Sequence, residues 1–548
     1  MTEHISFNLI DEKWIPCIRG NDGRSDLLSL RDTLAESHLL EDIAGDTPLQ
    51  TAALYRLLIA ILLRVYKPTA SSFDTWREMW TSPTWDMAQI NSYLDEQKPK
   101  FDLFDEKRPF YQSDSNDKRA VRKSVVPMKY GTGFRHNPLF DHDNDVTGLT
   151  LPSPVVARNL ITIQAFGLGG DRGMLTDAPW SKGVIYFVYG SNLKETLFLN
   201  LLPYPDKDGG ERIADDENDL PIWESKEPFE ERGGQPFGYL DLLTWQNHKV
   251  MLFPEVQNGQ IVVREVKFGG GLRLAKDLMD PMKFNLKNEQ FTDGFRPISF
   301  EEERGLWPNS YAIFARMNMG GETTSWPPLT FNWLSILVEH DLIEPHAVYR
   351  CKAMGLGKNR GKVEYLREER FPFPLRYLID QTLREQLRDA LREAEQIARI
   401  LHNSLCRVGM YLFQESANNY KWERQRINTQ QDGVQRNEIS KFVEEAIIGR
   451  WERGQLKAPG WIAHTDAEMC YWSNLDEPFQ RLIAQLATEE PETTVRWWRA
   501  QVRTAANGAF TKAKEYAHES ERAFHAIVEG QGYLAFQLNK MFGKEEKA

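Results

Sequence analysis

The densest group of possible metal ligands in the sequence is the run Asp141-His142-Asp143-Asn144-Asp145. Carboxylates and imidazoles bind divalent cations, so Asp141, His142 and Asp143 raise the possibility of a metal-dependent nuclease. A calcium loop would need glycine at the position of Val146 and a bidentate glutamate at the position of Pro152. We therefore interpret the run as a polar loop, with the nuclease as the alternative, and expect no metal and no cofactor.

A glycine cluster spans residues 167–173, with the sequence Gly-Leu-Gly-Gly-Asp-Arg-Gly. It fails the dinucleotide-binding fingerprint because Arg172 stands where the third glycine belongs. Glycines still let the backbone approach a phosphate or a base edge closely, and a surface turn is the alternative interpretation.

A second glycine-rich segment, residues 355–363, resembles a phosphate-binding loop only in part. Leu356 replaces a required glycine, and Val363 replaces the serine or threonine that would bind magnesium. An ATPase is therefore excluded as an interpretation. Basic residues among these glycines instead suit a turn that presses against a nucleic-acid backbone.

Other catalytic signatures are absent from the sequence. There is no G-x-S-x-G elbow and no H-E-x-x-H pair, and the four cysteines are scattered without a C-x-x-C motif. We predict that the protein is not an enzyme and that its thiols stay reduced, as in a cytoplasm. The apolar run Ala52–Leu63, at 12 residues, is shorter than the roughly 20 that span a bilayer, and Met1–His4 lacks the basic start of a signal peptide. No membrane association is expected.

Charge is distributed unevenly along the 548 residues, whose formal net charge is −12. Residues 118–135 contain six bases and no acid, residues 264–287 six bases and three acids, and residues 350–370 seven bases and three acids. Such islands are either solvated faces or contacts for an anionic partner.

The elements that must position these segments fall into two parts. Residues 1–374 mix short strands and helices with many Gly and Pro residues, and residues 375–548 have helical periodicity, as in the Leu383, Leu387, Leu391 series. Helical runs at 378–415, 436–453, 476–489, 491–506 and 512–541 predict an antiparallel helical (four-helix) bundle. The fold class is thus α+β, an irregular mixed α/β N-terminal domain and a C-terminal bundle, divided after Phe371-Pro372-Phe373-Pro374.

The N-terminal segment Phe7–Pro16, Phe-Asn-Leu-Ile-Asp-Glu-Lys-Trp-Ile-Pro, resembles the opening signature of the CasA family, the large subunit of the type I-E CRISPR complex Cascade. Leu139–His142 is similar to a loop of that family, Gly167–Gly173 to its glycine loop, and Asp280–Lys283 to its lysine-bearing hairpin. The resemblance extends over essentially the whole chain.

This resemblance implies a non-catalytic subunit of a crRNA-guided antiviral surveillance complex. Its expected partners are crRNA, target double-stranded DNA, the other Cascade subunits and a recruited helicase-nuclease. The subunit would recognise the PAM, a short motif beside the target, from the minor groove and promote R-loop formation. A scaffold subunit that makes no DNA contact is the remaining alternative.

The resemblance also implies roles for individual residues. Lys283 would enter the minor groove, with an ordinary surface lysine as the alternative, and Phe140 would stack on a base of the crRNA or else lie in the core. The glycine loop that reads the PAM would comprise Gly167, Gly169, Gly170 and Gly173. The wedge that opens the first base pair would comprise Asn359, Arg360, Gly361 and Lys362, although relatives have a glutamine there.

Overall fold

The computed structural model describes most of the chain. The described residues are 5–129, 131, 148–170, 176–204, 218–229, 233–275, 278, 280–287, 294–300, 305–307, 310–314, 325–359, 362–412, 465–488, 490–517 and 520–543.

Helices and several small sheets alternate through the first two thirds of the chain, and long helices follow. The strands are β1 Ile15–Arg19, β2 Ser25–Leu28, β3 Leu40–Ile43, β4 Arg122–Ser124, β5 Leu151–Pro152, β6 Ile185–Tyr189, β7 His248–Gln257, β8 Gln260–Gly270, β9 Asn285–Lys287, β10 Phe295–Pro297, β11 Ser325–Trp326, β12 Val348–Asn359 and β13 Lys362–Pro374. The α-helices are α1 Leu30–Ala35, α2 Pro48–Tyr66, α3 Phe73–Thr81, α4 Met87–Gln97, α5 Ser153–Phe166, α6 Leu193–Leu199, α7 Tyr239–Leu243, α8 Ser310–Ile313, α9 Leu329–Glu339, α10 Arg376–Ile379, α11 Gln381–Leu412, α12 Ala467–Thr488, α13 Pro491–Lys514 and α14 Glu521–Phe542. The expected mixture of α and β structure is confirmed.

The chain forms two compact units. The first contains Met1–Phe300 and Ala312–Asp380, and the second contains Glu301–Tyr311 and Gln381–Ala548. The boundary predicted after Pro374 lies six residues before this division, because Phe371–Pro374 is the end of β13 and pairs with Val348–Cys351 of β12. The assignment of Glu301–Tyr311 to the second unit was not predicted from the sequence.

The short segment Glu301–Tyr311 belongs with the helices because of one tryptophan. The Trp307 ring stacks on Phe479 at 4.8 Å between centroids and meets Trp498 edge-on at 6.1 Å. Its indole nitrogen donates a hydrogen bond to Asp476 Oδ1 at 2.7 Å. Trp307 is 5% exposed, so a large apolar surface is removed from water at this contact.

The helices of the second unit pack closely on one another. Trp498 of α13 donates to the Ala390 carbonyl of α11 at 3.0 Å, and Tyr471 of α12 donates to the Ala394 carbonyl at 2.7 Å. Gly530 lets α14 approach α11, since a Cβ atom there would lie 2.4 Å from Val408.

The central helix of the first unit, α2, contains the apolar run Ala52–Leu63 and extends beyond it at both ends. Thr47 accepts a hydrogen bond from the Gln50 amide, Pro48 occupies the first turn, and Lys67 ends the helix in a left-handed conformation. Its 19 residues are by length and composition sufficient to cross a bilayer, which corrects the expectation that the run is too short. However, 83% of its apolar window is buried within the protein, as in a core helix.

The N-terminal signature is a structural motif of the first unit. Trp14 is fully buried, and its indole nitrogen donates to the Leu9 carbonyl at 2.7 Å. The Asn8 side chain accepts from the Ile10 amide at 3.1 Å and donates to the Lys98 carbonyl at 2.9 Å. The Asn and Trp residues of this signature therefore stabilise the local fold of the N-terminal segment.

Two sheets carry the segments that the sequence analysis singled out. In one, β12 lies between β13 and β6, all antiparallel. In the other, β8 pairs with β7 along one side, and with β4 and β5 along the other. The register of β4 and β8 sets Arg122 opposite Lys267, so that the first and second basic islands meet on one sheet.

Candidate nucleic-acid interface

The glycine segment begins where α5 ends. The Gly167 amide donates to the Ile163 carbonyl at 2.8 Å, and the Gly167 carbonyl accepts from Ala178 at 2.8 Å. A Cβ atom at Gly167 would lie 2.6 Å from the Ile163 carbonyl oxygen, so glycine is required by close approach. Gly169 donates from its amide to Asp177 Oδ1 at 2.8 Å.

The described glycines of this segment are buried. Gly167, Gly169 and Gly170 all have little exposed surface, and Gly173 lies outside the described residues. The sequence analysis expected backbone available to DNA, but these three glycines are buried, and close packing requires the glycine at position 167.

His248, which the sequence analysis did not identify, supports the glycine segment. Its Nε2 lies 3.4 Å from the Gly167 carbonyl oxygen, and its amide nitrogen and carbonyl oxygen both bond to the Gln164 side chain. Burial lowers the pKa of His248 to about 4, so the ring is neutral at pH 7. No local sequence pattern marks His248, and its role follows from its tertiary contacts with Gln164 and Gly167.

Lys283 lies in a turn that Asp280 shapes. The Met282 amide donates to Asp280 Oδ1 at 2.9 Å, and Lys283 forms an isolated antiparallel bridge with Ile185 of β6. Its ammonium donates to the Pro179 carbonyl at 2.6 Å. Lys283 is 6% exposed, whereas both interpretations from sequence expected it at the surface.

Burial changes the ionisation of Lys283. Removal from water lowers its pKa to about 8, and the negative charge of Asp280 opposes this shift. In this conformation the side chain supplies an internal hydrogen bond rather than a surface charge. Its role as a minor-groove contact stays a prediction, and that role requires the ammonium to leave Pro179.

Residues 177–182, which we call the bridging segment, join the glycine and lysine segments. At one end Asp177 accepts from Gly169 and forms an ion pair with Lys182 at 3.2 Å. In the middle, Pro179 accepts from Lys283 and Trp180 donates to Asp280 Oδ2 at 2.7 Å. Two regions about 110 residues apart in sequence are therefore fastened to one short stretch of backbone.

A buried cation lies behind the bridging segment. The Arg56 guanidinium of α2 is 4.6 Å from the centre of the Trp180 ring and donates to the Leu242 carbonyl. Burial lowers its pKa, while the negative charge of Asp280 opposes the shift. Trp180 thus contacts a cation through its face and a carboxylate through its edge, which fixes its orientation.

The predicted wedge is the tip of a long hairpin. Asn359 of β12 pairs with Lys362 of β13, and the two residues between them, Arg360 and Gly361, lie outside the described residues. The preceding glycines are in a strand rather than in a phosphate-binding loop. A Cβ atom at Gly357 would meet the Tyr365 ring at 2.1 Å, so this glycine makes room for an aromatic side chain across the hairpin.

The base of the hairpin is held by a buried ion pair. Lys352 of β12, with a side chain 1% exposed, is paired with Asp42 of β3. Tyr55 of α2 donates to the same carboxylate, and the Lys352 ammonium is 3.3 Å from the Tyr55 oxygen. One of the seven bases of the third island is therefore an anchor inside the protein.

The basic islands on β4 and β8 are balanced by neighbouring acids. Arg122 lies 3.7 Å from Glu265 and 3.5 Å above the Phe253 ring, and Lys267 pairs with Asp114 at 2.6 Å. An exposed pair such as Arg122 and Glu265 contributes little stability.

The predicted crRNA contact and the candidate metal ligands belong to one segment of the chain. Phe140 and the cluster Asp141, His142 and Asp143 lie outside the described residues. Within the described part of the chain, no group of three or more His, Cys, Asp or Glu residues is arranged to hold a metal ion.

Comparison with known proteins gives one consistent family. The family model of CRISPR-associated protein Cse1 matches residues 8–509. A CRISPR-associated protein CasA/Cse1 from Thermus thermophilus is 27% identical over 549 residues, covering 96% of both chains. The crystal structure of T. thermophilus CasA has a TM-score of 0.72 at 23% identity and covers 98% of this chain and 100% of its own.

A chain of a CRISPR RNA-guided surveillance complex is also similar, with a TM-score of 0.70 at 19% identity, and it covers 97% of this chain and 100% of its own. At these identities the structural matches establish a common fold. The resemblance seen in the N-terminal signature is confirmed by the family match.

Proposed function

The chain belongs to the CRISPR-associated Cse1 family, and we propose on that premise that it is the large subunit of Cascade, a crRNA-guided antiviral surveillance complex. In this role it binds crRNA, the other Cascade subunits and target double-stranded DNA in the cytoplasm, has no catalytic activity, and associates with no membrane. The observation that carries the proposal is the family match over residues 8–509.

In this proposal the glycine and lysine segments recognise the PAM together. The shared attachment to the bridging segment supports this, because a DNA contact at one segment is transmitted to the other. Minor-groove recognition distinguishes base pairs only coarsely, which suits a subunit that accepts several flanking sequences. Phe140 would contact the crRNA.

The hairpin of β12 and β13 would act as the wedge. Its base is fixed by Lys352 and Asp42, so force applied at the tip by Asn359, Arg360, Gly361 and Lys362 is resisted by the core. Unstacking a base step costs a few kcal/mol, and basic side chains repay part of this through phosphate contacts.

The second unit would complete the subunit as an antiparallel four-helix bundle of α11 to α14. The pairing of Arg499 with Glu393 and of Arg503 with Asn539 is consistent with α13 lying antiparallel to α14 and beside α11. We propose that residues 1–374 carry the nucleic-acid-contacting loops and that residues 375–548 form the bundle. We further propose that the subunit helps to recruit the helicase-nuclease.

Reconstitution tests the proposal. The full chain should co-purify with a particle made from crRNA and the remaining Cascade subunits, and it should increase the affinity of that particle for a target duplex that carries a PAM. A duplex with the same target and a scrambled flank is the matched control. Failure of the chain to join the particle, or equal stimulation with both duplexes, would contradict the proposal.

A cleavage assay distinguishes the proposed non-catalytic subunit from a metal-dependent nuclease. Purified chain incubated with duplex DNA and Mg²⁺ or Mn²⁺ should leave the DNA intact. Cleavage that disappears in Asp141→Ala would instead support a metal-dependent nuclease at Asp141, His142 and Asp143.

A further inference from the structure

Three side chains in the second unit form a hydrogen-bonded row that the proposed function does not use. His402 and Cys406 are one turn apart on α11, and the His402 Nε2 lies 3.4 Å from the Cys406 sulfur. The other ring nitrogen, Nδ1, is hydrogen-bonded to the Glu468 carboxylate of α12. A possible nucleophile, Cys406, therefore contacts a base, His402, which in turn contacts a carboxylate that orients it.

The row favours a protonated imidazole. Hydrogen bonds to Cys406 and Glu468 raise the pKa of His402 to about 10, against the opposing effect of burial. At neutral pH both ring nitrogens therefore carry hydrogen, and the Nε2–H group points to the sulfur. A ring nitrogen 3.4 Å from the sulfur, next to a carboxylate, is the kind of surroundings in which reactive cysteines are found.

Access to the sulfur is limited by size. Cys406 is fully buried, whereas the His402 and Glu468 side chains are 30% and 40% exposed. Solvent thus reaches the far side of the imidazole, and the sulfur lies one hydrogen bond behind it. The proposed reagent is therefore a small one, because the sulfur itself has no exposed surface.

Among the residues that the structure describes, two other buried cysteines, Cys17 and Cys351, have no histidine and glutamate arranged as His402 and Glu468 are at Cys406. Burial raises the pKa of Cys17 to about 12, with a contact to the Thr33 hydroxyl at 3.8 Å opposing the shift. Burial also raises the pKa of Cys351 well above its ordinary value. Both are fully buried, as Cys406 is, so differences in their reactivity report on the His402 and Glu468 contacts.

We propose that Cys406, His402 and Glu468 form an activated-thiol site that is modified by small peroxides. The thiolate attacks one oxygen of hydrogen peroxide, an S–O bond forms, and the O–O bond breaks. Sulfur is oxidised by two electrons to a sulfenic acid, which keeps one OH group of the peroxide, and the other peroxide oxygen is reduced. The departing hydroxide takes the proton from His402 Nε2 and leaves as water.

Modification has a structural consequence in this location. An added oxygen must fit beside a sulfur that has no exposed surface, and extra volume in a packed core displaces its neighbours. Oxidation also alters the contact between the Cys406 sulfur and His402 Nε2. The helices around Cys406 should therefore be less stable after oxidation.

Hydrogen peroxide applied to the folded full chain tests the site. After a short exposure, catalase removes the excess peroxide, the chain is unfolded in dimedone, and mass spectrometry measures the tagged fraction of each cysteine. Cys406 should be tagged at least about tenfold faster than Cys17 and Cys351. Equal rates for these three buried thiols would overturn the proposal.

Variants separate activation from loosened packing. Glu468→Gln keeps a hydrogen-bond acceptor but removes the charge, and it should slow tagging of Cys406 while leaving that of the more exposed Cys470 unchanged. Glu477→Gln, at an exposed position on the same helix, is the matched control and should change neither rate. An unchanged or faster Cys406 rate in Glu468→Gln would contradict the site, and loosened packing of α11 and α12 is recognised because it also accelerates tagging of Cys470.

Discussion

The indole nitrogen of Trp180 donates a hydrogen bond to Asp280 Oδ2 at 2.7 Å, and the other oxygen of Asp280 accepts from the Met282 amide. The tryptophan belongs to the bridging segment next to the glycine segment, and the aspartate shapes the turn that carries Lys283. One side-chain contact therefore sets the spacing of the two segments proposed to read the PAM.

Trp180→Phe tests this spacing. The substitution keeps an aromatic ring over Arg56 but removes the donor to Asp280, so the lysine turn should lose its fixed position. We expect about tenfold weaker binding of the assembled complex to a PAM-bearing duplex, since loss of a hydrogen bond to a charged group costs about 1.5–3 kcal/mol. Filter binding measures the change. Trp498→Phe, which removes a buried indole donor in the second unit, should leave this affinity unchanged.

Lys283→Met separates a binding role from a structural one. Methionine retains the length of the side chain and removes a charge whose burial is costly, so the thermal stability of the chain should be equal or higher. Affinity for the PAM-bearing duplex should nevertheless fall, because the minor-groove donor is lost. Lys182→Met, at a nearby exposed lysine, is the control for loss of charge. An intact complex with unchanged affinity would show that Lys283 has no DNA contact.

The same lysine predicts a pH dependence of stability. The pKa of Lys283 is lowered from 10.5 to about 8 in the folded chain, so between these values the unfolded chain binds more protons than the folded chain. The free energy of unfolding should therefore rise with pH from about 8 to 10.5, by up to about 1.4 kcal/mol per pH unit. Urea denaturation gives the free energy of unfolding of the wild type and of Lys283→Met at each pH, and the difference between the two isolates this contribution. Below about pH 8 that difference should no longer change with pH. A difference that falls across this interval would contradict the burial.

Replacement of Arg360 and Lys362 by alanine should affect strand opening more than docking. The tip of the hairpin is proposed to separate the first base pair, whereas initial recognition depends on the PAM segments. Fluorescence of 2-aminopurine placed beside the PAM follows opening, and filter binding follows docking. Arg370→Ala, on the same hairpin but paired with Glu368 far from the tip, should change neither. Equal opening rates in the double variant and the wild type would reject the wedge.

Gly167→Ala should disturb the glycine segment directly. Its Cβ atom would lie 2.6 Å from the Ile163 carbonyl oxygen and 2.8 Å from His248 Nε2, so the end of α5 or the His248 ring must shift. We expect a lower melting temperature together with weaker PAM binding. Gly532→Ala in α14 is the control, because nothing lies within 4 Å of the added carbon and alanine favours a helix. A Gly167→Ala chain as stable as the wild type would contradict the packing described for this turn.

Local patterns predicted the elements better than they predicted burial. The leucines at positions 383, 387 and 391 recur at the helical interval, and α11 contains all three. By contrast, Lys283 is buried because Pro179, 104 residues earlier, accepts from it, and lysine is rarely buried. No local pattern contains that partner, so the sequence alone favours an exposed lysine.

Glycine illustrates the same difficulty. The sequence predicts that the glycines at 355 and 357 belong to a turn that presses against nucleic acid. They lie instead in β12, where Tyr365 fills the space that a side chain at Gly357 would need. A glycine can signal either an unusual backbone angle or the close approach of another group. The contacts of Gly167 and Lys283 with residues 177–182 come from tertiary packing, which no local pattern contains.

The position of Trp307 has a practical consequence for dissecting this protein. The polypeptide leaves the first unit, contributes an aromatic plug to the helices, and returns before it enters α11. A fragment that starts at Gln381 would lack this plug, with an unfilled cleft beside Phe479 and without the indole donor to Asp476. Grafting residues 301–311 onto such a fragment, or supplying them as a peptide, would restore what a simple cut at residue 381 removes.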